Sequence, residues 1–218
     1  MQNEAKVRPF LRGRFHEAAF FYSLGASTLL VANAQGFKAS MAALIYAICL
    51  AGLFGISSLY HRITWKEKSY ALLRRLDHAM IFIFIAGTVT PICLLGLPEA
   101  TSKMLLMLFW GAATLGVLKE LFWLKGPKWV STFLYVGMGW LAGPYVNEFI
   151  AALGLGSTIL IIAGGVIYTA GAIIYAVKWP DPYPRVFGYH EIFHLLVMVA
   201  SVFHFMVIYR LINPVIVH

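Results

Sequence analysis

Charge is scarce in this chain. Only 12% of its 218 residues are charged, while 61% are hydrophobic, and the mean hydropathy is +0.78. A water-soluble domain cannot cover its surface with so few charges, whereas a membrane protein has no such need. Carboxylates are the scarcer sign, with 9 Asp and Glu against 17 Lys and Arg. The resulting +8 charge does not indicate nucleic acid as a partner, because no basic patch interleaves with aromatics on a polar face. Cysteine is nearly absent. Cys49 and Cys93 both fall inside apolar segments, which excludes a disulfide framework or a CxxC knuckle and leaves them as small packing residues. No lysine follows Lys178, so the last apolar segment cannot carry a retinal Schiff base.

What is present is a series of apolar runs. Seven segments reach the roughly 20 residues needed to cross about 30 Å of hydrocarbon. They lie near residues 15–34, 40–60, 77–97, 104–123, 129–148, 153–177 and 188–212. Runs of this length without strand-like alternation are helical, since a lipid-exposed backbone must satisfy its own hydrogen bonds. The expectation is an all-α integral membrane protein, a single domain of seven transmembrane helices over 15–212. A basic segment, 1–14, precedes it, and a short tail, 213–218, follows. The first segment resembles a signal peptide but no polar domain follows it, so it is read as an uncleaved span.

Basic residues set the orientation. Fourteen of the 17 Lys and Arg, from Lys6 through Arg14, Arg62, Arg74, Arg75, Lys119 and Lys125 to Arg185, fall on one side. The other side has Lys38, Lys103 and Arg210. The positive-inside rule puts the larger set, and the amino terminus, in the cytoplasm. An odd number of spans then leaves the carboxy terminus outside.

Polar residues at the inner ends of these spans carry the chemistry. His61 closes the second span with Ser57 one turn earlier on the same face, Asp77 opens the third, and His190 and His194 lie one turn apart at the start of the seventh. Ionisable residues beside hydrocarbon are costly, so such a cluster is a functional hypothesis by default. Three imidazoles with an open fourth position form the ligand set of a catalytic zinc. Asp77 suits a carboxylate that holds and deprotonates a zinc-activated water, and Ser57 a donor to that water or to a substrate oxygen. Asp77 pairing merely with Arg74 or His78, and Ser57 bonding its own backbone, are the structural alternatives. His16, His78 and His218 read as headgroup-facing, and His204, about 21 Å along the helix from His190, as a packing or hydrogen-bonding residue.

His190-Glu191-Ile192-Phe193-His194 also spells HExxH, the zincin signature. Zincins of the membrane take a downstream carboxylate as third ligand, and no Asp or Glu follows Glu191. The third ligand must therefore lie upstream, where His61 is the candidate. Glu191 is left as a second base or a headgroup-facing acid. Gly139-Trp140-Leu141-Ala142-Gly143 is a GxxxG pattern, expected as an intramolecular helix contact.

Ser57-Ser58-Leu59-Tyr60-His61, Leu76-Asp77-His78-Ala79 and His190-Glu191-Ile192-Phe193-His194 resemble the hemolysin III group, bacterial members of the progestin and adiponectin receptor family. The likeness runs over about 10–212 and includes Ile85-Ala86-Gly87-Thr88 before Pro91, and Gly188-Tyr189. It implies a seven-helix fold with a zinc near the cytoplasmic face, held by His61, His190 and His194, with Asp77 as the water-holding acid and Ser57 as the site serine. The family's first motif is not reproduced by Arg12-Gly13-Arg14-Phe15-His16-Glu17, so no site role is carried onto the first span. The expected activity is zinc-dependent hydrolysis of a lipid amide or ester, ceramidase-like and tied to membrane lipid homeostasis, in a bacterial inner (plasma) membrane. A membrane-lytic or pore-forming protein, or a zinc-stabilised receptor or regulator without catalysis, are the alternatives. The partner in each case is a membrane lipid, as substrate or ligand.

Overall fold

The computed structural model describes residues 9–123 and 128–213, apart from the Lys128 side chain. Lys6, Arg8, Lys125 and His218 lie outside them, as do most of the basic amino-terminal segment and all but Asn213 of the tail. Seven α-helices follow one another: α1 Arg14–Asn33, α2 Gly36–Arg62, α3 Glu67–Gly96, α4 Glu99–Phe122, α5 Lys128–Gly139, α6 Val146–Val177 and α7 Tyr189–Ile212. Among the described residues there is no strand. The protein is all-helical and multi-pass.

Helix boundaries follow local chemistry. Gly13 adopts φ 77° before α1, a left-handed conformation that glycine enters without steric cost. Pro98 precedes α4 with its fixed φ. At α7, the Glu191 carboxylate accepts from the Gly188 N–H at 2.9 Å, satisfying one of the orphan donors at the helix start. α3 begins ten residues earlier than the third apolar segment does. Glu67 to Leu76 are too polar for hydrocarbon but fully capable of helix, so Asp77 sits three turns inside α3 rather than at its mouth.

Among the described residues five stretches are long and apolar enough to cross a membrane: α2, α3, α4, α7 and Trp129–Val177. The last has 49 residues, about 74 Å as one straight helix and more than twice the hydrocarbon thickness. It is not straight. A 3-10 turn at Gly143–Tyr145 interrupts it, and Gly154 has φ 77° and ψ 161°, outside helical space. The Trp140 indole N–H donates to the Thr169 hydroxyl at 3.0 Å. These two residues are nearly equidistant from Gly154, so the chain folds back on itself there. Because α5 ends at Gly139, the GxxxG pattern lies at a helix break. A Cβ on Gly139 or Gly143 would touch nothing within 4 Å, so the expected helix contact through it is not formed.

α3 is the hub, packing against α2, α4, α5, α6 and α7. Of its most apolar stretch 61% is buried within the protein, against 11% for Trp129–Val177. Gly87 permits its close approach to α2, since a Cβ there would lie 2.5 Å from Cys49 Sγ. Cys49 and Cys93 are free and buried in this packing, as small apolar residues. α1, whose first turn carries Arg14 and Glu17, lies against α2 and α7. Glu17 accepts from Arg62 Nε at 2.9 Å, tying the basic ends of α1 and α2 together.

Candidate metal centre and cavity

Two helices bring the imidazoles together. α2 supplies His61 from its last turn, and α7 supplies His190 and His194 from one face of its first two turns. Their ligating atoms all lie within 4.8 Å of one another, and all three side chains could hold a metal ion. The Nε2 atoms of His61 and His190 face each other at 3.2 Å. Bonds of about 2.0–2.1 Å to a tetrahedral zinc would separate two ligand nitrogens by roughly 3.3 Å. The His61–His190 pair stands at that spacing, and three imidazoles are a donor set suited to a divalent metal such as zinc.

Asp77 comes in from α3. Its Oδ2 is 3.7 Å from His61 Nε2, and its carboxylate is within hydrogen-bonding reach of the Ser57 hydroxyl. It is turned toward these residues rather than paired with Arg74. Ser57 is 2% exposed. All five expected site residues thus converge from three helices.

The HExxH glutamate is elsewhere. Glu191 is 1% exposed, bonded through Oε1 to Arg12 Nε at 2.5 Å and through Oε2 to the Gly188 N–H. It is neither a headgroup-facing acid nor a lining residue of the cavity described below. Both its oxygens are used in closing the start of α7, which removes the basis for a zincin reading. The reason is helical geometry: Glu191 is 100° around the helix from His190 and follows the N-terminal cap rather than the ligand face.

Two histidines read as headgroup-facing are also inside. His16 is 3% exposed and stacks on the His194 ring, with centroids 3.8 Å apart and planes within 6°. It also meets Phe54 edge-on. It thereby packs directly on one of the three clustered imidazoles, a contact for which its place in the sequence gave no signal. His78 Nδ1 stands 3.6 Å from Glu120 Oε2. Glu120 is 8% exposed and also accepts from Lys119 at 2.9 Å and from the Ser131 hydroxyl at 2.7 Å, while Lys119 also reaches Ser131. Glu120 carries no motif or spacing signal in the sequence and was missed there.

The three imidazoles open onto a cavity of about 780 Å³. Its mouth, at the basic end of the bundle, is lined by Tyr70, Arg74, Arg75 and Trp123. Asp77, Ser57 and the three histidines line its wall, and Thr88, Tyr168 and His204 its deep end. The His204 Nε2–H donates to the Ile161 carbonyl at 3.1 Å, the hydrogen-bonding part expected of it.

A Haemolysin-III related family model matches residues 5–205. The chain belongs to the haemolysin-III family. It is 33% identical over 157 residues to the Hemolysin-3 homolog of Bacillus subtilis, covering 72% of this chain and 70% of that one. To Hemolysin-3 of Bacillus cereus it is 30% identical over 194 residues, covering 87% and 85%. The human Monocyte to macrophage differentiation factor is 26% identical over 173 residues, covering 76% and 68%. The haemolysin-III match includes all three clustered histidines.

Proposed function

We propose that this haemolysin-III protein is a zinc-dependent hydrolase of a membrane lipid, cleaving an amide or ester bond in a ceramidase-like manner and serving membrane lipid homeostasis. What carries the reading is one observation: three buried imidazoles and a carboxylate meet on the wall of a cavity large enough for a lipid chain. A structural zinc needs four closed ligands, whereas three with an adjacent acid leave a position for reaction. Zinc held by His61, His190 and His194 would supply Lewis acidity and an acidified water. Asp77 would orient that water, take its proton and pass it to the leaving nitrogen or oxygen. Ser57 would fix Asp77 or donate to the substrate oxygen. Arg74 and Arg75 at the mouth suit an anionic headgroup.

The membrane arrangement in this proposal has seven spans. α1 crosses as the first, and Trp129–Val177 crosses twice by reversing at Gly154, which joins five apolar stretches into seven passes. The basic end of the bundle faces the cytoplasm of a bacterial plasma membrane, with the amino terminus inside and the carboxy terminus outside.

The test is zinc content and turnover of purified protein against ceramides, acyl amides and phospholipids, with Asp77→Ala as control. Wild type should hold about one zinc per chain and cleave one lipid class, while Asp77→Ala keeps the metal and loses cleavage. Inactivity of the wild type on the whole panel would remove the hydrolase. The printed name of its Bacillus relatives, Hemolysin-3, supports a second reading as a membrane-lytic protein, measured by dye release from vesicles. A zinc-stabilised regulator without catalysis would retain the metal and do neither.

A further inference from the structure

The deep end of the cavity is polar without being satisfied. Thr88 Oγ1, Tyr168 Oη and His204 Nδ1 are buried side-chain atoms with no hydrogen-bond partner, and all three residues line the cavity. They come from α3, α6 and α7. Each lies well below the histidine cluster: Thr88 is 11 residues beyond Asp77 and His204 is 10 beyond His194, about 15 Å at 1.5 Å per residue. The Tyr168 and His204 rings are 5.5 Å apart.

Unpaired polar atoms away from water are costly, and folded proteins rarely keep them together without a guest. Thr88 is the clearest case. Helical threonines normally donate to the carbonyl four residues back. Thr28, Thr90, Thr114, Thr158 and Thr169 all do so here. Thr88, 4% exposed, does not, and its hydroxyl is left for something else. His204 is similarly committed at one end only. Its Nε2–H is used on Ile161, so in the neutral ring Nδ1 offers a lone pair. The ring lies in a notch at Gly164, where a Cβ would come within 2.5 Å of Nε2. The site thus presents one fixed acceptor and two hydroxyls that can donate or accept.

That set matches a hydroxyl group on the guest, which donates to His204 and accepts from Thr88 or Tyr168. We propose that the deep end of the cavity is a hydroxyl-recognition subsite, so that the preferred ligand is a lipid whose acyl chain carries a hydroxyl about a dozen carbons from its carbonyl, the extended length that covers some 15 Å. The inference rests on the reading of the cavity as a lipid site with the carbonyl at the histidine cluster. It adds a second anchor, which sets specificity by chain position.

The experiment uses the full-length, zinc-loaded protein in detergent or nanodiscs and two probes, ricinoleate, which is oleate with a hydroxyl on its twelfth carbon, and oleate itself. Each competes with a fluorescent fatty acid for the cavity. Ricinoleate should bind about tenfold more tightly than oleate, the effect of one or two buried hydrogen bonds. His204→Phe and Thr88→Val should abolish the preference while oleate affinity and zinc content stay within about twofold, which shows that both variants fold. Tyr168→Phe, which removes a single oxygen, checks the third group without changing packing. Equal affinity of wild type for the two acids overturns the subsite alone and leaves those atoms to water. Failure of either acid to compete overturns the lipid cavity as well.

Discussion

Two polar clusters line one cavity, and they are built in different ways. His78, Glu120, Lys119 and Ser131 form a closed set: the Glu120 carboxylate faces a histidine, an ammonium and a hydroxyl, and the lysine also reaches the serine. Nothing is needed to complete it. His61, His190 and His194 instead gather their ligand atoms to within 4.8 Å of one another, with the Asp77 carboxylate 3.7 Å from His61. One set balances an acid against bases and a hydroxyl, and the other brings three potential metal ligands beside an acid. The difference teaches that a buried ionisable group is not itself a mark of function. The chemistry of the set it belongs to decides.

Substitutions should separate the two clusters. The largest effect belongs to Asp77→Asn, which should lower lipid turnover by about a hundredfold to ten-thousandfold, the usual contribution of a positioned general base, with zinc content unchanged. If metal is lost in parallel, Asp77 is a ligand and the role assigned to it is wrong. Next, His190→Ala should cut zinc affinity by well over about a hundredfold, because loss of a ligand exceeds the effect of losing a ligand's outer partner, read by metal analysis after dialysis. Glu120→Gln should do the reverse. Zinc stays bound, while melting in detergent drops through a loss of about 1–3 kcal/mol as Lys119 and His78 lose a charged partner. Zinc loss in Glu120→Gln would mean that the two clusters are one site. Gly116→Ala should destabilise by about 1–3 kcal/mol by overpacking, since a Cβ there would lie 2.4 Å from Phe82 Cδ1, with no change in metal. The smallest effect, under about 0.5 kcal/mol, is expected at exposed Phe37→Leu, which touches neither cluster.

Much of the site was legible in order. Ser57 and His61, and His190 and His194, are each four apart, so each pair must share a helix face once the helix is granted. Counting basic residues put the three span ends that carry them on one side, and these helix stretches do meet in the bundle. Glu191 shows where such reading stops: the HExxH spelling put it beside the ligands, while capping of α7 and Arg12 turned it away. His16 shows the converse, since no spacing rule joins residue 16 to residue 194, and only the packing of α1 on α7 stacks them. The reversal at Gly154 lies just past the gap between the fifth and sixth apolar runs, inside the sixth, and no spacing rule pointed to that glycine.

Hydropathy determined by itself that this chain is a helical membrane protein, because hydrocarbon length acts on each segment separately. Which residues face one another inside the bundle was decided only by tertiary packing. Helix rotation and neighbour order depend on contacts such as Gly87 against Cys49, and no single helix contains that information.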